Sequence, residues 1–198
     1  MAVDTTIAVI VGLFLFSSGA YSQQHAQTAP ADLDQLVQNA AVILRGEVIS
    51  AAIERHPQFS NIQTVVVTIS VKRVLKGEAP AIYTFRQFVW DMRDAADAAG
   101  YRKAGELLLF LNPNSSYGLT SPVGLDQGRF QVSHDPKGNR FAVNGRGNLG
   151  LFNQVPSKAA SRGVTFSRQA QAMMAKPQRQ VPLDSLEEAI ITLAGGRK

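Results

Sequence analysis

Apolar and polar residues alternate along two long stretches in the first half of the chain, residues 41–52 and 64–75. In the first stretch Val42, Leu44 and Val48 share one face, opposite polar neighbours. The second stretch shows the same pattern, through Val65, Val67, Ile69 and Val71. A period of two with many β-branched residues predicts two half-buried antiparallel strands.

Shorter runs predict further strands. Residues 81–89 are rich in aromatic side chains, and residues 106–111 are almost entirely leucine and phenylalanine. Residues 129–134 and 140–144 flank the sequence Asp-Pro-Lys-Gly-Asn at 135–139, whose residue types favour a tight turn. The last two runs therefore predict a β-hairpin.

Three segments carry helical signals instead. Residues 32–40 combine apolar residues at helical spacing with an Asp–Gln pair at capping-box spacing. Residues 91–99 are rich in alanine, the strongest helix former. Residues 183–194 begin with Asp184 and Glu187 at capping-box spacing and precede two glycines. We expect a helix in each segment.

The predicted order is three strands, a short helix and then more strands, with a helix near each end. This order is typical of an OB-fold, although other small barrels and sandwiches share it. The prediction is a mainly β protein: a small OB-like antiparallel barrel with a short helix between the third and fourth strands, plus N- and C-terminal helices. It divides the chain into a signal peptide (1–22), a spacer (23–31), the OB-like β domain (32–152) and a polar tail with the terminal helix (153–198).

The beginning of the chain predicts export. Residues 7–16 are uniformly apolar, which is about half the length that spans a bilayer but typical of a signal peptide. Ala20 and Ser22 lie where a cleavage site before Gln23 requires small residues. Asp4 precedes the apolar run without any Lys or Arg, which departs from the usual pattern and leaves an uncleaved anchor as the alternative. The expected location is secreted or periplasmic, with no transmembrane span after cleavage.

Composition excludes several classes of protein. The chain has no cysteine, which rules out a disulfide scaffold, a thiol nucleophile and cysteine-based metal sites. Its formal net charge is +5, but the Lys and Arg residues are scattered. A scattered positive charge is typical of a solvated surface, so nucleic acid is not an expected partner, and binding of an anionic polymer is kept as an alternative.

The sequence Gly-Arg-Gly-Asn-Leu-Gly at 145–150 matches the dinucleotide-binding fingerprint G-x-G-x-x-G. That chemistry needs a helix to begin at the loop and an acidic residue about 20 positions further on. The residues that follow do not resemble a helix start, and the next acid is Asp184. We therefore interpret the match as a glycine-rich connection, without a cofactor.

Candidate metal and catalytic residues do not form a recognisable site. His25, His56 and His134 are far apart in sequence and lack partners at metal-ligand spacing. His134 precedes an aspartate, yet the chain contains no G-x-S-x-G nucleophile motif. Asp91, Asp94 and Asp97 follow helical spacing rather than that of a calcium loop. No catalytic or metal-binding residue is predicted.

A binding surface is predicted after the third strand. Trp90, the only tryptophan, is followed by Arg93, Tyr101 and Arg102. Tryptophan, tyrosine and arginine are the residues most often found as interface anchors, and loops on a rigid scaffold commonly carry function. The alternative is that Trp90 caps the barrel core and Arg93 is merely solvated.

Several stretches together resemble a family of small exported bacterial proteins, most of them uncharacterised. They are residues 40–48 (AAVILRGEV), 71–77 (VKRVLKG), 105–111 (GELLLFL) and 124–132 (GLDQGRFQV). The resemblance spans residues 33–152 and implies an OB-like domain similar to that of tissue inhibitors of metalloproteinases. Those inhibitors bind the protease zinc through an amino-terminal cysteine, so this cysteine-free chain cannot share that mechanism.

The expected function is that of an exported, non-enzymatic binding or accessory domain, whose partner is an envelope or extracellular protein. Two alternatives stay open: an envelope hydrolase with an unrecognised site, and a binder of anionic polymer. Paired acids facing one pocket would favour the hydrolase, and a continuous basic groove would favour the polymer binder.

Overall fold

The computed structural model describes residues 29–89, 98–176 and 178–195. In these residues the fold is mainly β, with a seven-stranded antiparallel sheet and four helices. The strands are β1 (Val42–Arg55), β2 (Gln63–Lys76), β3 (Ile82–Phe88), β4 (Glu106–Leu111), β5 (Arg129–His134), β6 (Arg140–Asn144) and β7 (Val181–Pro182). The helices are α1 (Leu33–Asn39), α2 (Val155–Ala160), α3 (Arg168–Met174) and α4 (Leu183–Gly195).

The sheet is open, with the strand order β3-β2-β1-β4-β5-β6-β7. The expected closed barrel is therefore wrong. After β5 the chain turns back into β6, which pairs with β7, so the sheet extends away from β3 instead of returning to it. The expected helix at 91–99 lies almost wholly outside the described residues, and residues 98–100 form a short 3₁₀ turn.

Both faces of the central strands are buried. On β1, Ile43 faces the helices while Leu44 faces the opposite side of the sheet, and on β4 Leu108 and Leu109 divide in the same way. The helix-side core includes Leu36, Phe110, Phe130, Leu186 and Ile190. The other core is built by the twisted strands β1 to β4, through Val67, Ile69, Phe85 and Leu107. The alternating pattern predicts that one face of the sheet is polar and exposed to solvent. In the structure the helices cover that face and bury its apolar residues.

Residues 153–195 do not form the polar tail that the sequence pattern predicts. Val155, Ala159, Phe166 and Met173 are buried and join the helix-side core. The helices α2 and α3 have only six and seven residues. Each therefore buries too few side chains to show a helical period in the sequence, but together they complete the core beside the sheet.

The two terminal helices form where the sequence predicts them, but only one has the expected cap. In α1 the side chains of Asp32 and Gln35 bond reciprocally to the backbone, as a capping box requires. In α4 the predicted partner Glu187 is fully enclosed and points at the sheet, so the expected capping box is wrong.

No helix in the described parts of the chain is long and apolar enough to cross a membrane.

Candidate functional site

Of the four predicted binding residues, the structure describes Tyr101 and Arg102. Trp90 and Arg93 lie outside the described residues. Tyr101 is only 3% exposed, and its hydroxyl donates to Gln87 Oε1 at 2.7 Å. Arg102 is exposed. The structure therefore places Tyr101 in the core and Arg102 on the surface, next to the exposed Lys103.

The surroundings of Tyr101 explain its burial. Its ring meets Phe85 edge to face at 5.7 Å, and the Arg129 guanidinium lies 5.1 Å from the ring centroid. Burial raises the pKa of the Tyr101 hydroxyl above its ordinary value. Arg129 also bonds to Asp126 and to the carbonyl of Ala99. Tyr101 thus holds the end of the 98–100 turn against the sheet.

A network of charged side chains joins α4 to the sheet. The fully enclosed Glu187 accepts hydrogen bonds from Arg45 Nε at 2.6 Å and from Arg73 Nη1 at 2.5 Å. Arg45 also donates from Nη1 to Glu106 Oε1 at 2.5 Å. Burial alone would lower the pKa of Arg45, but the bonds to Glu106 and Glu187 raise it. The network fixes α4 on β1, β2 and β4.

A second set of ion pairs joins the first helix to the second. Lys158 on α2 bonds to Asp32, which caps α1, at 2.5 Å. Arg162, just after α2, bonds to Asp34. Both acids are nearly buried. These pairs tie α1 to α2, as the Glu187 network ties α4 to the sheet.

The glycine-rich sequence after β6 forms a rigid loop, here called the asparagine-pinned loop (residues 144–150). Asn144 and Asn148 bond reciprocally: each backbone N–H donates to the other residue's side-chain oxygen, at 3.0 and 2.8 Å. Asn148 also donates from Nδ2 to the carbonyls of Ala142 and Arg179, both at 3.0 Å. Side chains rather than regular secondary structure therefore fix this loop.

The loop presents one large apolar side chain to solvent. Leu149 is 78% exposed, more than Ile82, Tyr117 or Ile191. It follows Asn148, whose φ is 60°, a left-handed conformation that asparagine adopts more readily than most residues other than glycine. Four hydrogen bonds made by Asn144 and Asn148 hold this conformation, and Leu149 is exposed next to it.

A cleft of about 430 Å³ lies beside the loop, here called the loop cleft. The loop and the residues after it form one wall, and residues 174–179, without the undescribed Pro177, form the other. Leu149 and Phe152 contribute accessible apolar surface above the buried Leu151 and Met174, while the exposed Lys176 and Arg179 lie along the second wall. Since α2 begins only at Val155, no helix starts at the loop as a dinucleotide site requires.

The described histidines lie apart from one another. His56 is buried, and its Nε2 lies 2.9 Å from the carbonyl oxygen of Tyr117. His134 Nε2 lies 3.9 Å from Glu106 Oε2. Within residues 29–89, 98–176 and 178–195, no group of His, Asp and Glu residues is arranged to hold a metal ion.

Comparison with known proteins identifies no relative: no protein-family model, curated protein or solved structure matches the chain.

Sequence reasoning treated the pinned loop as a simple connection and so missed Leu149. The signal that could have revealed it is the combination of two asparagines four positions apart, Asn144 and Asn148, with a single leucine between Asn148 and Gly150. Asparagine tolerates left-handed conformations and bonds to nearby backbone, so this spacing favours a fixed turn. A lone large apolar residue in such a turn has no strand or helix face on which to be buried.

Proposed function

We propose that this protein is an exported, non-enzymatic binding domain that contacts a partner protein through Leu149 on the asparagine-pinned loop. The observation that carries the proposal is a large apolar side chain, 78% exposed, on a loop fixed by side-chain hydrogen bonds. Keeping such a side chain in water has no benefit to folding, whereas a fixed loop lowers the entropy lost on association.

The surroundings of the loop support this function. Leu151, directly after the loop, is buried in the same core as the helices, so the loop is anchored on the helical layer. The loop cleft opens beside Leu149 and combines apolar surface with polar and cationic groups, the mixture found in binding sites. The export component rests on residues 7–16 and the small residues that follow them.

The alternative of an envelope hydrolase would use His134 as its base, with Glu106 as the orienting carboxylate at 3.9 Å. Arg45 already binds that carboxylate at 2.5 Å, and Lys72 lies 3.7 Å from it. The carboxylate therefore serves the clamp between the sheet and α4. The pinned loop is the better supported site.

Leu149→Ser is expected to weaken binding of the partner protein without lowering the stability of the fold. Truncating a central apolar contact typically weakens an interface about tenfold or more. Recovery of co-purifying proteins from the producing cells, measured by quantitative mass spectrometry, should show one protein depleted with Leu149→Ser. The melting temperature should stay unchanged because Leu149 is largely in water.

Ile82→Ser is the matched control, since Ile82 is also exposed, at 54%, but lies on the edge strand β3. It should retain the partner. Equal recovery of every co-purifying protein from the native chain and from both variants would refute the proposal.

A further inference from the structure

The two walls of the loop cleft are fixed to each other. Asn148 on the first wall donates to the carbonyl of Arg179 on the second, at 3.0 Å. Gln178 is tied back to the end of α3 by a bond from Nε2 to the carbonyl of Met173, at 3.2 Å. The cleft thus exists before any ligand arrives, which limits the ordering cost of binding.

The charged side chains that line the loop cleft are all positively charged in the part of the chain that the structure describes. Lys176 and Arg179 line it, and the described lining contains no acidic residue. Neither cation forms an ion pair with a described residue, in contrast to Lys158 and Arg162 of the same helical layer, which are paired with Asp32 and Asp34. Two exposed cations beside a concave apolar surface complement a ligand that carries carboxylates.

A second pocket, of about 410 Å³, shares Met174 and Ala175 with the loop cleft, and Val164 and Phe166 contribute to its lining. Two pockets that share lining residues can receive successive side chains of one peptide, which a compact small molecule cannot supply.

We infer that the loop cleft accepts an acidic peptide segment of the partner protein, with its carboxylates paired to Lys176 and Arg179. An apolar side chain of the segment packs on Leu149 and Phe152, which are the large accessible apolar side chains of the cleft lining. This inference rests on the proposed binding function and adds the chemistry of the partner. Pairing of carboxylates with exposed cations sets orientation and speeds encounter, while the apolar contacts supply most of the affinity.

Binding of three short fluorescent peptides to the purified chain, followed by anisotropy, tests the inference. One peptide alternates leucine with glutamate, the second replaces glutamate by glutamine, and the third replaces leucine by serine. The leucine–glutamate peptide should bind most tightly. Joint replacement Lys176→Gln and Arg179→Gln should weaken it about tenfold and reduce the salt dependence of binding.

The control variant carries Lys137→Gln and Arg168→Gln, which remove the same charge from exposed positions outside the cleft. Its affinity for the leucine–glutamate peptide should equal that of the native chain. Undiminished binding by the cleft variant, or binding of none of the peptides, would overturn the inference.

Two outcomes separate this inference from the function on which it rests. If the glutamine peptide binds as tightly as the glutamate peptide and Leu149→Ser abolishes both, the acidic specificity is wrong and the binding function stands. If the serine–glutamate peptide binds as tightly and Leu149→Ser has no effect, both are wrong and the chain binds anionic polymer.

Discussion

Glu187→Ala is expected to lower the free energy of unfolding by about 3 kcal/mol, because it removes a fully enclosed carboxylate and leaves the buried Nε of Arg45 without an acceptor, while Nη1 keeps its bond to Glu106. Arg45 is 8% exposed and would lose the carboxylate that now faces its Nε. Arg73, whose side chain is 47% exposed, would turn into water at little cost. Urea or guanidinium unfolding, with the slope and midpoint fitted together, measures the loss.

Glu188→Ala is the matched control for this variant. Glu188 is the next residue of the same helix, is partly exposed and forms no ion pair with a described residue. Its replacement should change stability by no more than about 0.5 kcal/mol. Equal effects of the two substitutions would contradict the role assigned to the charge network.

Gly46→Ala is expected to cost about 3 kcal/mol, since it overfills a close contact between two strands. A Cβ at residue 46 would lie 2.5 Å from the backbone oxygen of Ser70 and would also clash with Ile69. Backbone cannot rotate away as a flexible side chain can, so β1 and β2 would have to separate. The pairing is already irregular here, with register shifts on both sides of Gly46.

Gly195→Ala provides the comparison, because a Cβ at that position meets nothing within 4 Å. It should leave the unfolding free energy within about 0.5 kcal/mol of the native value. A Gly46→Ala variant as stable as this control would show that the close approach of β1 and β2 is not needed for the fold.

Local pattern predicted most of the strands. The runs at 106–111, 129–134 and 140–144 coincide with β4, β5 and β6, because short apolar runs and a strong turn determine strands locally. Whether the sheet closes into a barrel depends on pairing between strands that are distant in sequence. The pattern of residues within each strand does not determine that pairing. The resemblance to OB-like exported proteins stays a prediction, as does export itself.

The candidate site was harder to predict than the fold. Tyr101 was expected at an interface because of its residue type, but its ring is buried between Phe85 of β3 and the Arg129 guanidinium. The exposure of Leu149 depends on the hydrogen bonds between Asn144 and Asn148. The placement of Lys176 and Arg179 along the cleft depends on the position of α3. These are tertiary relations, which residue type and spacing do not determine.

Site-specific crosslinking from position 149 tests the central claim, that the pinned loop is the contact surface, most directly. Because the chain has no cysteine, Leu149→Cys supplies a unique thiol for a benzophenone label, and Ile82→Cys supplies the matched control. Illumination in an envelope extract should give one dominant adduct from position 149, competed by excess native chain, and no such adduct from position 82. The same adducts from both positions, or none from position 149, would contradict the account.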